Sequence, residues 1–325
     1  MKTFQNQQLI EALKAAQRIF LCTHVAPDGD AIGCLLAAKF ILEGMGKSVV
    51  VCDADPVPLD FRILPGAGEI IRPDQVTGEF DTAMSLDAAD FERIGASGPI
   101  FAKAPVRLQV DHHGTNPGYA MHNEVDADAP AAGCIVFRML KALGQPLTES
   151  IAACLYTAIS MDTGNFNFPS VDAETFEIMA ELMKTGFDMS GYARQLHMMR
   201  QTEYLGMLSR ALGRLQFLYD GKVTMMGVYP DDFAAVHALP EHSDGIVNYG
   251  LYIPGVRLTC FVNSQQADLT RFSFRALAPY SAQRIAVALG GGGHEAAAGA
   301  TVYLPAREAT EKALAAIDEE MKRHA

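Results

Sequence analysis

The sequence predicts an α/β protein whose N-terminal domain is a parallel-sheet α/β domain with helices on both faces. The chain has 325 residues, of which 49% are hydrophobic and 20% are charged, as in ordinary globular proteins. In its first half, short apolar runs that fit buried strands alternate with longer segments of helical periodicity. This alternation favours a parallel sheet. The chain length predicts about two domains, and the second is expected to be a smaller mixed α/β domain.

The predicted elements of the first domain follow one another as strands and helices. Strands are predicted at 18–23, 48–52, 81–86 and 107–110, and helices at 31–42, 132–143, 151–160 and 173–184. Ligands of parallel sheets bind outside the carboxyl ends of the strands. Side chains that follow these strands are therefore the first candidates for function.

The second half begins with a strongly helical segment at 192–215, which is predicted to connect the two domains. Strands are predicted beyond it at 222–228, 257–262 and 271–275, with a helix near 282–288 and a glycine run after it. The predicted domain boundaries are 1–185 for the first domain, 186–215 for a helical linker and 216–325 for the second domain.

Charge and cysteine usage limit the partners and the compartment. The 38 Asp and Glu outnumber the 26 Lys and Arg, and the net charge of −12 argues against wrapping of duplex DNA, which needs a basic surface. The net charge does not argue against binding of a short nucleotide. The six cysteines form no C-x-x-C pair, and we expect buried reduced thiols, which fit a reducing cytosol. Neither a signal-peptide core nor an apolar run of about 18 residues is found, so the sequence predicts a soluble cytoplasmic protein without a membrane partner.

The first candidate site segment, HVAPDGD, lies between the first predicted strand and the first predicted helix. It contains three potential metal ligands, His24, Asp28 and Asp30. A helix N-cap explains Asp30 in front of Ala31. It does not explain the three ligand-type residues together.

Three later segments carry similar side chains. Asp87 follows the third predicted strand, the run Asp111, His112 and His113 follows the fourth, and Asp162 closes a predicted helix. Taken singly, Asp87 is explained by a turn, the two histidines by a solvated loop and Asp162 by a cap. Two adjacent histidines point in different directions along a strand, so they can serve different tasks.

Taken together, the four segments predict a two-metal site. They supply four Asp and two His as potential ligands, a set that suits Mn²⁺ or Mg²⁺. No Cys has a ligand-like spacing beside them, which disfavours zinc. Six ligands are too many for one ion that keeps open positions, so two ions that share a carboxylate are expected. Such a pair, about 3.5–4 Å apart, can hold a bridging hydroxide and clamp a phosphoryl group.

The second candidate site is a glycine run, Gly290–Gly293, followed by His294. Glycines let backbone N–H groups approach an anion closely, and a histidine can add a donor. The pattern is neither G-x-G-x-x-G nor G-x-x-x-x-G-K-[ST], so neither a Rossmann nor a P-loop site is expected. Arg275, upstream, suits bidentate recognition of phosphate. A close-packed turn and a solvated strand end are the alternatives that need no ligand.

These segments resemble the motifs of the DHH phosphoesterase superfamily, which is named after Asp-His-His. HVAPDGDAIG, SLD, VDHHGTN and SMDTGNF follow the order of its four motifs, and SFRALAPYSAQRIAVALGGGGHEAAAG is similar to the DHH-associated C-terminal domain with its GGGH signature. CDADPVPLDFRILPG resembles the branch of nanoRNases and phosphoadenosine-phosphate phosphatases. The resemblance covers nearly the whole chain.

The resemblance implies a role for each matching residue. One Mn²⁺ would be held by His24, Asp28, Asp87 and Asp162, and the other by Asp30, Asp87 and His112, with Asp87 bridging. Mg²⁺ and Co²⁺ are the alternative ions. Asp111 would orient a histidine, and His113 would stabilise charge at the scissile phosphate. The substrate's other phosphate would be bound from across a cleft by Arg275, Gly291, Gly292, Gly293 and His294. Two residues depart from the family pattern, Cys34 and Ala276, because a serine is common at both positions.

The resemblance also implies a function. The chain would hydrolyse short oligoribonucleotides, linear dinucleotides such as pApA and pGpG, and 3′-phosphoadenosine 5′-phosphate, by a two-metal mechanism with a bridging hydroxide. Short single-stranded RNA or a dinucleotide is the expected partner, and a homodimer is compatible with the sequence.

Three alternatives are open. A manganese pyrophosphatase shares the four N-terminal motifs, but the GGGH motif argues against it. A RecJ-like single-strand exonuclease is longer and carries an added nucleic-acid-binding fold. A non-catalytic nucleotide sensor is disfavoured by the intact set of ligand-type residues.

Overall fold

Five parallel strands form the sheet of the first of two units. A computed structural model describes residues 2–324, and the chain divides into two units between Met199 and Arg200. The strands are β1 (Arg18–Cys22), β2 (Ser48–Cys52), β3 (Thr82–Leu86), β4 (Val106–Asp111) and β5 (His122–Val125), and their spatial order is β2-β1-β3-β4-β5. Every pairing between them is parallel, as the sequence predicts.

The helices of the first unit connect these strands or follow them. They are α1 (Gln7–Ala15), α2 (Gly29–Gly44), α3 (Gly98–Lys103), α4 (Ala132–Ala142), α5 (Glu149–Asp162), α6 (Ala173–Met183) and α7 (Met189–Ala193). The predicted helices at 31–42, 132–143, 151–160 and 173–184 correspond to α2, α4, α5 and α6. Helix α1 and strand β5 were not predicted. Strand β5 reads HNEV, so it has no apolar run that would mark it.

Both faces of this sheet are covered, because side chains alternate along each strand. Ile19 and Leu21 of β1 belong to the larger core, which is built with α1, α2, α4 and α5. Phe20 and Cys22 belong to a smaller core on the other face, together with Phe101 of α3. The predicted architecture, a parallel sheet between helices, is confirmed.

The second unit has a six-stranded mixed sheet in the order β10-β11-β9-β8-β7-β6. Its strands are β6 (Gln216–Leu218), β7 (Val223–Val228), β8 (Leu258–Gln266), β9 (Leu269–Ala276), β10 (Gly292–Gly293) and β11 (Ala297–Val302). Its helices are α8 (Thr202–Gly213), α9 (Pro230–Val236), α10 (Ala282–Ala288) and α11 (Ala306–Lys322). Strands β7 and β8 are parallel, and the other pairings are antiparallel.

The segment at 192–215 is not one helix. A π-helical turn, Arg194–Met198, follows α7, and its last hydrogen bond runs from the Met199 N–H to the Arg194 carbonyl at 2.8 Å. Met199 and Gln201 then take extended backbone angles, and α8 begins at Thr202. The sequence around Met199 has no glycine or proline to signal this break, so helical periodicity alone could not locate it.

All six cysteines are buried and free, as the sequence predicts. Within residues 2–324, no helix is long and apolar enough to span a membrane.

Candidate active site

The candidate ligands lie where strands and one helix of the first unit end. His24 follows β1 by two residues, Asp87 directly follows β3, Asp111 is the last residue of β4 and Asp162 is the last residue of α5. In a parallel sheet, the carboxyl ends of all strands lie at one edge. The topology therefore brings together residues that are far apart in the sequence.

The first motif forms the start of α2. Asp28 is its N-cap, and its Oδ1 accepts hydrogen bonds from the N–H groups of Asp30 at 3.0 Å and Ala31 at 3.1 Å. The N-cap explanation considered for Asp30 is therefore wrong, because α2 begins two residues earlier than predicted. The same Oδ1 lies 3.8 Å from Nε2 of His24, so the cap also holds this carboxylate beside the imidazole.

Asp30 instead caps a different helix. Its two carboxylate oxygens accept the N–H groups of Ala132 at 2.6 Å and Gly133 at 2.9 Å, the first two residues of α4. The Cys34 thiol donates to its Oδ1 at 3.1 Å, so the thiol supplies a contact that a serine hydroxyl could also make. Asp30 is fully buried and is fixed by these three donors.

The Asp87 carboxylate lies between two imidazoles. Its Oδ2 is 3.7 Å from Nε2 of His24, and its Oδ1 is 3.5 Å from Nε2 of His112. Asp87 is buried, and its Oδ1 has no hydrogen-bond partner among the described residues. The residue also has a φ of +53°, in the left-handed region that non-glycine residues rarely adopt.

Both of these histidines present Nε2 to the carboxylates. Nδ1 of His24 is 2.8 Å from the Val25 carbonyl, and Nδ1 of His112 is 3.1 Å from the Ala129 carbonyl. A carbonyl only accepts, so in the neutral ring of His112 the proton lies on Nδ1 and the lone pair on Nε2. Nδ1 of His24 also lies 3.3 Å from Nη2 of Arg93, which only donates, so the Val25 carbonyl alone does not decide the tautomer of His24. Metal-binding histidines in proteins are usually held by such a contact from the other nitrogen.

Asp28 and Asp162 complete the cluster. Oδ1 of Asp28 is 3.8 Å from Nε2 of His24, and Oδ2 of Asp162 is 3.3 Å from Nε2 of His112. Three groups have potential ligand atoms within 4.8 Å of one another: His24 with Asp28 and Asp87, Asp30 with His112 and Asp162, and Asp87 with His112 and His113. The structure brings all six predicted ligands together and places Asp162 beside His112.

These residues fit divalent cations. Bonds of about 2.1 Å from two donors to one ion place the donors about 3–4 Å apart, as found here. The buried Oδ1 of Asp87 lacks a donor, and a cation would satisfy it. The donor set is carboxylate and imidazole without thiolate, which suits Mn²⁺ or Mg²⁺ better than a structural zinc.

The electrostatic environment of the cluster also favours the binding of positive charge. Burial, and then the charges of neighbouring carboxylates, raise the pKa of Asp30 and Asp87 well above the ordinary value. Burial also raises the pKa of Asp162. For His24, burial lowers the pKa, but the interactions with Asp28, the Val25 carbonyl and Asp87 outweigh it and raise the pKa to about 9. The free energy of the cluster therefore favours bound protons or cations.

His113 lies beside the ligand cluster, with Nδ1 3.8 Å from Oδ1 of Asp87, but its hydrogen bond is to Asp111. Its Nδ1 donates to Oδ1 of Asp111 at 2.8 Å, so this nitrogen is not available to a metal ion. The bond to Asp111 raises the pKa of His113. The bonds from His113 and Asn116 outweigh the effect of burial and lower the pKa of Asp111. The His113 side chain is 41% exposed against 15% for His112, so its Nε2 is the more accessible to a ligand.

In the second unit, Arg275 is a half-buried cation. It lies near the end of β9, and its Nη1 donates to the Phe274 carbonyl at 3.0 Å. Burial lowers its pKa. Within residues 2–324 no carboxylate lies within salt-bridge distance of Arg275, so an anionic ligand would compensate its charge.

The glycine run has mixed roles. Gly292 and Gly293 form β10, which pairs with β11. A Cβ on Gly291 would lie 2.1 Å from the Gly299 carbonyl oxygen, and one on Gly293 would lie 2.6 Å from the Cα of Ala298. Close packing therefore explains these two glycines. It does not explain Gly292, which has open space around it, or the exposed His294 that follows.

Sequence reasoning missed two groups that hold the site. Asn116 donates to the Asp111 carboxylate at 2.5 Å. Asp53 is fully buried after β2, and it accepts the Asp55 N–H at 2.6 Å, while Asp55 accepts the Ala26 N–H at 2.8 Å. The position of Asp53 after a parallel strand was a usable signal, the same one that identified Asp87 and Asp111.

Comparison with known proteins shows the family of the chain. Residues 18–159 match the DHH family N-terminal domain, and residues 206–323 match the DHHA1 domain. The chain is 33% identical over 318 residues to a bifunctional oligoribonuclease and PAP phosphatase, NrnA, of Thermus thermophilus. The match covers 96% of this chain and 93% of that protein.

Two solved structures share the fold. An exopolyphosphatase-related protein from Bacteroides fragilis has a TM-score of 0.90 at 24% identity, with 98% of each chain covered. RecJ from Thermus thermophilus in complex with Mn²⁺ has a TM-score of 0.52 at 14% identity, with 97% of this chain and 55% of that chain covered.

Proposed function

The chain belongs to the DHH family of phosphoesterases, and from that premise we propose that it is a metal-dependent hydrolase of short oligoribonucleotides and linear dinucleotides. We include 3′-phosphoadenosine 5′-phosphate as a third substrate. The observation that carries the proposal is the Asp87 carboxylate, which faces Nε2 of His24 and of His112 while its Oδ1 lacks a partner. The relative from Thermus thermophilus, named for both activities, supports the choice of substrates.

In this proposal Asp87 would be a ligand of two divalent cations, Mn²⁺ by preference. The other ligands are His24, Asp28, Asp30, His112 and Asp162. Such ions lower the pKa of bound water and neutralise phosphoryl charge. The chain contributes the spacing, because the caps of α2 and α4 and the two Nδ1 contacts to carbonyls fix the ligands in advance.

His113 then acts on the substrate directly. Its Nδ1–H is held by Asp111, so its protonated Nε2 can donate a hydrogen bond to a phosphoryl oxygen. The pKa of His113 is raised by the same contact, which favours the charged donor near neutral pH. Charge that develops on the phosphoryl oxygens in the transition state would strengthen this bond.

We further propose that Arg275, Gly291, Gly292, Gly293 and His294 bind another phosphate of the substrate. Support comes from the half-buried guanidinium without a carboxylate partner and from the open space at Gly292. A guanidinium and backbone N–H groups are the donors that phosphate prefers. This contact would select substrates that carry a phosphate beyond the scissile one.

A substrate panel tests the proposal. The purified protein with Mn²⁺ is offered pGpG, five-nucleotide RNA, 3′-phosphoadenosine 5′-phosphate, pyrophosphate and long single-stranded DNA, and kcat/KM is compared. We expect the first three to exceed the last two by at least about 100-fold, since the site would be matched to their transition states. Preference for pyrophosphate or for long strands would contradict the proposal, and so would the absence of hydrolysis with all five.

A further inference from the structure

Three side chains donate hydrogen bonds to one backbone carbonyl, that of Ala88, directly after Asp87. The donors are Nε2 of Gln109 at 3.1 Å, Nδ2 of Asn116 at 3.2 Å and the Tyr119 hydroxyl at 3.3 Å. Asp87 itself has a φ of +53°, and such a conformation persists in a non-glycine residue only where the surroundings fix it. The three donors fix the chain on one side of Asp87. The bond from the Asp87 N–H to the Val110 carbonyl, at 2.9 Å, fixes it on the other.

Asn116 differs from the other two donors because its second contact is with Asp111, whereas the second contact of the Tyr119 hydroxyl is with the Ser85 hydroxyl at 2.9 Å. Its Nδ2 also donates to Oδ2 of Asp111 at 2.5 Å, and its Oδ1 accepts the Gly118 N–H at 2.8 Å. Its amide is thereby oriented, with the nitrogen toward two acceptors and the oxygen toward a donor. Oδ1 of Asp111 holds His113 at 2.8 Å. One amide nitrogen thus joins the backbone after Asp87 to the carboxylate that holds His113.

From these contacts we infer that Asn116 is a positioning residue that sets the separation between Asp87 and His113. The inference rests on the proposed function, because His113 acts there on the phosphoryl group whose metal ions Asp87 would bind. The Asn116 side chain makes no hydrogen bond to Asp87 or His113; its backbone N–H donates to the His113 carbonyl at 3.1 Å, a bond that Asn116→Ala would keep. The side chain acts through the Ala88 carbonyl on one side and through Asp111 on the other.

The contacts indicate which kinetic constant depends on Asn116. Without Nδ2, the Ala88 carbonyl keeps two donors, so the backbone at Asp87 stays in place. Oδ2 of Asp111 keeps only the longer bond from the His113 N–H, at 3.3 Å, so the carboxylate and the imidazole gain freedom. A misplacement of about 1 Å can slow the chemical step about 100-fold. The loss should therefore appear in kcat, with little change in substrate or metal affinity.

The first test replaces Asn116 and a matched donor. We expect Asn116→Ala to lower kcat for pGpG with Mn²⁺ by about 10- to 100-fold, with KM and the half-saturating Mn²⁺ concentration within about threefold of wild type. Asn116→Asp places a carboxylate against Asp111 and should lower kcat at least as much. Tyr119→Phe removes another donor to Ala88 but does not contact Asp111, and kcat should fall by less than about threefold. Wild-type kcat in either Asn116 variant, or an equal loss in Tyr119→Phe, would overturn the inference.

A double-mutant cycle tests the route through Asp111. If Asn116 acts by holding that carboxylate, Asn116→Ala should have almost no further effect on kcat in an Asp111→Asn background. Losses that multiply would show that Asn116 acts independently of Asp111 and would overturn the inference.

A third measurement needs no substrate. The Nδ1–H proton of His113, hydrogen-bonded to Asp111, should give a low-field NMR signal that is absent from a His113→Asn variant. We expect this signal to be lost in Asn116→Ala and kept in Tyr119→Phe. A retained signal in Asn116→Ala would overturn the inference whatever the substrate panel shows. A wild-type protein that hydrolyses nothing but shows the expected signals would contradict only the proposed function.

Discussion

Asp87 combines a left-handed backbone with a buried carboxylate that faces two histidines. At the scale of single residues, the site depends on polar groups that lack a hydrogen-bond or charge partner as much as on the groups that have one. Among residues 2–324, no donor bonds to Oδ1 of Asp87 and no carboxylate pairs with Arg275, and both arrangements cost free energy when no ligand is bound.

Asp87→Asn should abolish catalysis. The amide keeps the size of the side chain but cannot bridge two cations, so we expect kcat/KM for pGpG to fall by more than about 100-fold and the half-saturating Mn²⁺ concentration to rise. Steady-state assays over a Mn²⁺ titration measure both. Asp60→Asn, an exposed aspartate of the same unit, is the control and should behave as wild type. Wild-type turnover in Asp87→Asn would refute the two-metal proposal.

Arg275→Ala should weaken substrate binding more than turnover. A hydrogen-bonded guanidinium–phosphate contact corresponds to about a 10- to 100-fold change in KM. The free energy of unfolding should hardly fall, because the substitution removes a half-buried cation that no carboxylate of the described residues pairs with, together with one bond to the Phe274 carbonyl. Arg275→Lys should restore only part of the affinity, since an ammonium cannot make the bidentate contact. An unchanged KM for pGpG in Arg275→Ala would dismiss the anchoring role.

Asp53→Asn should change how stability depends on pH in the metal-free protein. Burial raises the pKa of Asp53 to about 7, whereas in the unfolded chain it lies near about 4. The folded state therefore binds the proton more tightly, so the free energy of unfolding of wild type falls as pH rises from about 4 to about 7. The variant lacks this contribution and should gain about 1.4 kcal/mol relative to wild type per pH unit across that window. Urea denaturation at pH 4, 5.5 and 7 measures the difference, and parallel curves would show that Asp53 does not titrate in this way.

At the scale of elements, small residues let three helices meet beside the site. A Cβ on Gly33 of α2 would lie 2.5 Å from the Cys154 carbonyl of α5, and one on Gly133 of α4 would lie 2.7 Å from Cβ of Ala158. The close approach brings the start of α4 to Asp30, which caps it. Packing of the helices and placement of a candidate ligand thus depend on the same contacts.

The hairpin of β10 and β11 offers a matched pair of glycines. Gly291→Ala should destabilise the protein by more than about 1 kcal/mol, because its Cβ would overlap the Gly299 carbonyl oxygen. Gly292→Ala meets no atom within 4 Å and should leave the melting temperature unchanged. If phosphate approaches this backbone, Gly292→Ala should still raise KM for pGpG. Thermal unfolding and steady-state kinetics separate the two effects, and an unchanged KM in Gly292→Ala would remove this strand from the binding site.

Short apolar runs and helical periodicity together predicted four strands and four helices of the first unit, but not the interruption near Met199. The residues on both sides favour helix, and the break is a π-helical turn followed by extended residues without a breaker in the sequence. Local propensity is a weak determinant that tertiary packing can override. The same limit applies to β5 and β11, where polar or small residues take strand conformation because a neighbouring strand pairs with them.

At the scale of the whole molecule, charge is concentrated where cations are proposed to bind. Residues 1–184 contain 24 Asp and Glu against 13 Lys and Arg, a net charge of −11 out of the total of −12. Asp30 and Asp87 are buried within that excess, and their pKa values are raised by burial and by the charges of neighbouring carboxylates. Without cations, these raised pKa values make the folded state bind protons more tightly, so stability falls as pH rises above the ordinary carboxyl range.

Mn²⁺ should therefore stabilise the protein independently of any substrate. At about 100 times the dissociation constant, each bound ion adds about 2.7 kcal/mol, which corresponds to a rise of about 5–10 °C in the melting temperature of the first unit. The rise should be larger at pH 8 than at pH 5, because protons compete for the same carboxylates. Calorimetry with Mn²⁺ and with EDTA measures it, and Asp87→Asn is the control. An equal rise in wild type and in Asp87→Asn would place the ions elsewhere.

The sequence by itself determined the parallel α/β class, the positions of the buried strands along the chain and the list of ligand-type residues. These features follow from local periodicity and from the rule that functional side chains follow parallel strands. Only the tertiary structure decided the tasks of individual atoms. It placed Asp28 rather than Asp30 at the N-cap of α2, used Asp30 to cap α4, separated the two adjacent histidines by pairing His113 with Asp111, and brought Asn116 to the carbonyl after Asp87. The pairing of His113 with Asp111 joins residues that are close in the sequence. The other contacts depend on where helices start and where loops lie, and local sequence patterns do not fix these positions. A hydrogen bond forms only when donor and acceptor lie within a few tenths of an ångström of the ideal distance, and the packing of the fold sets that distance.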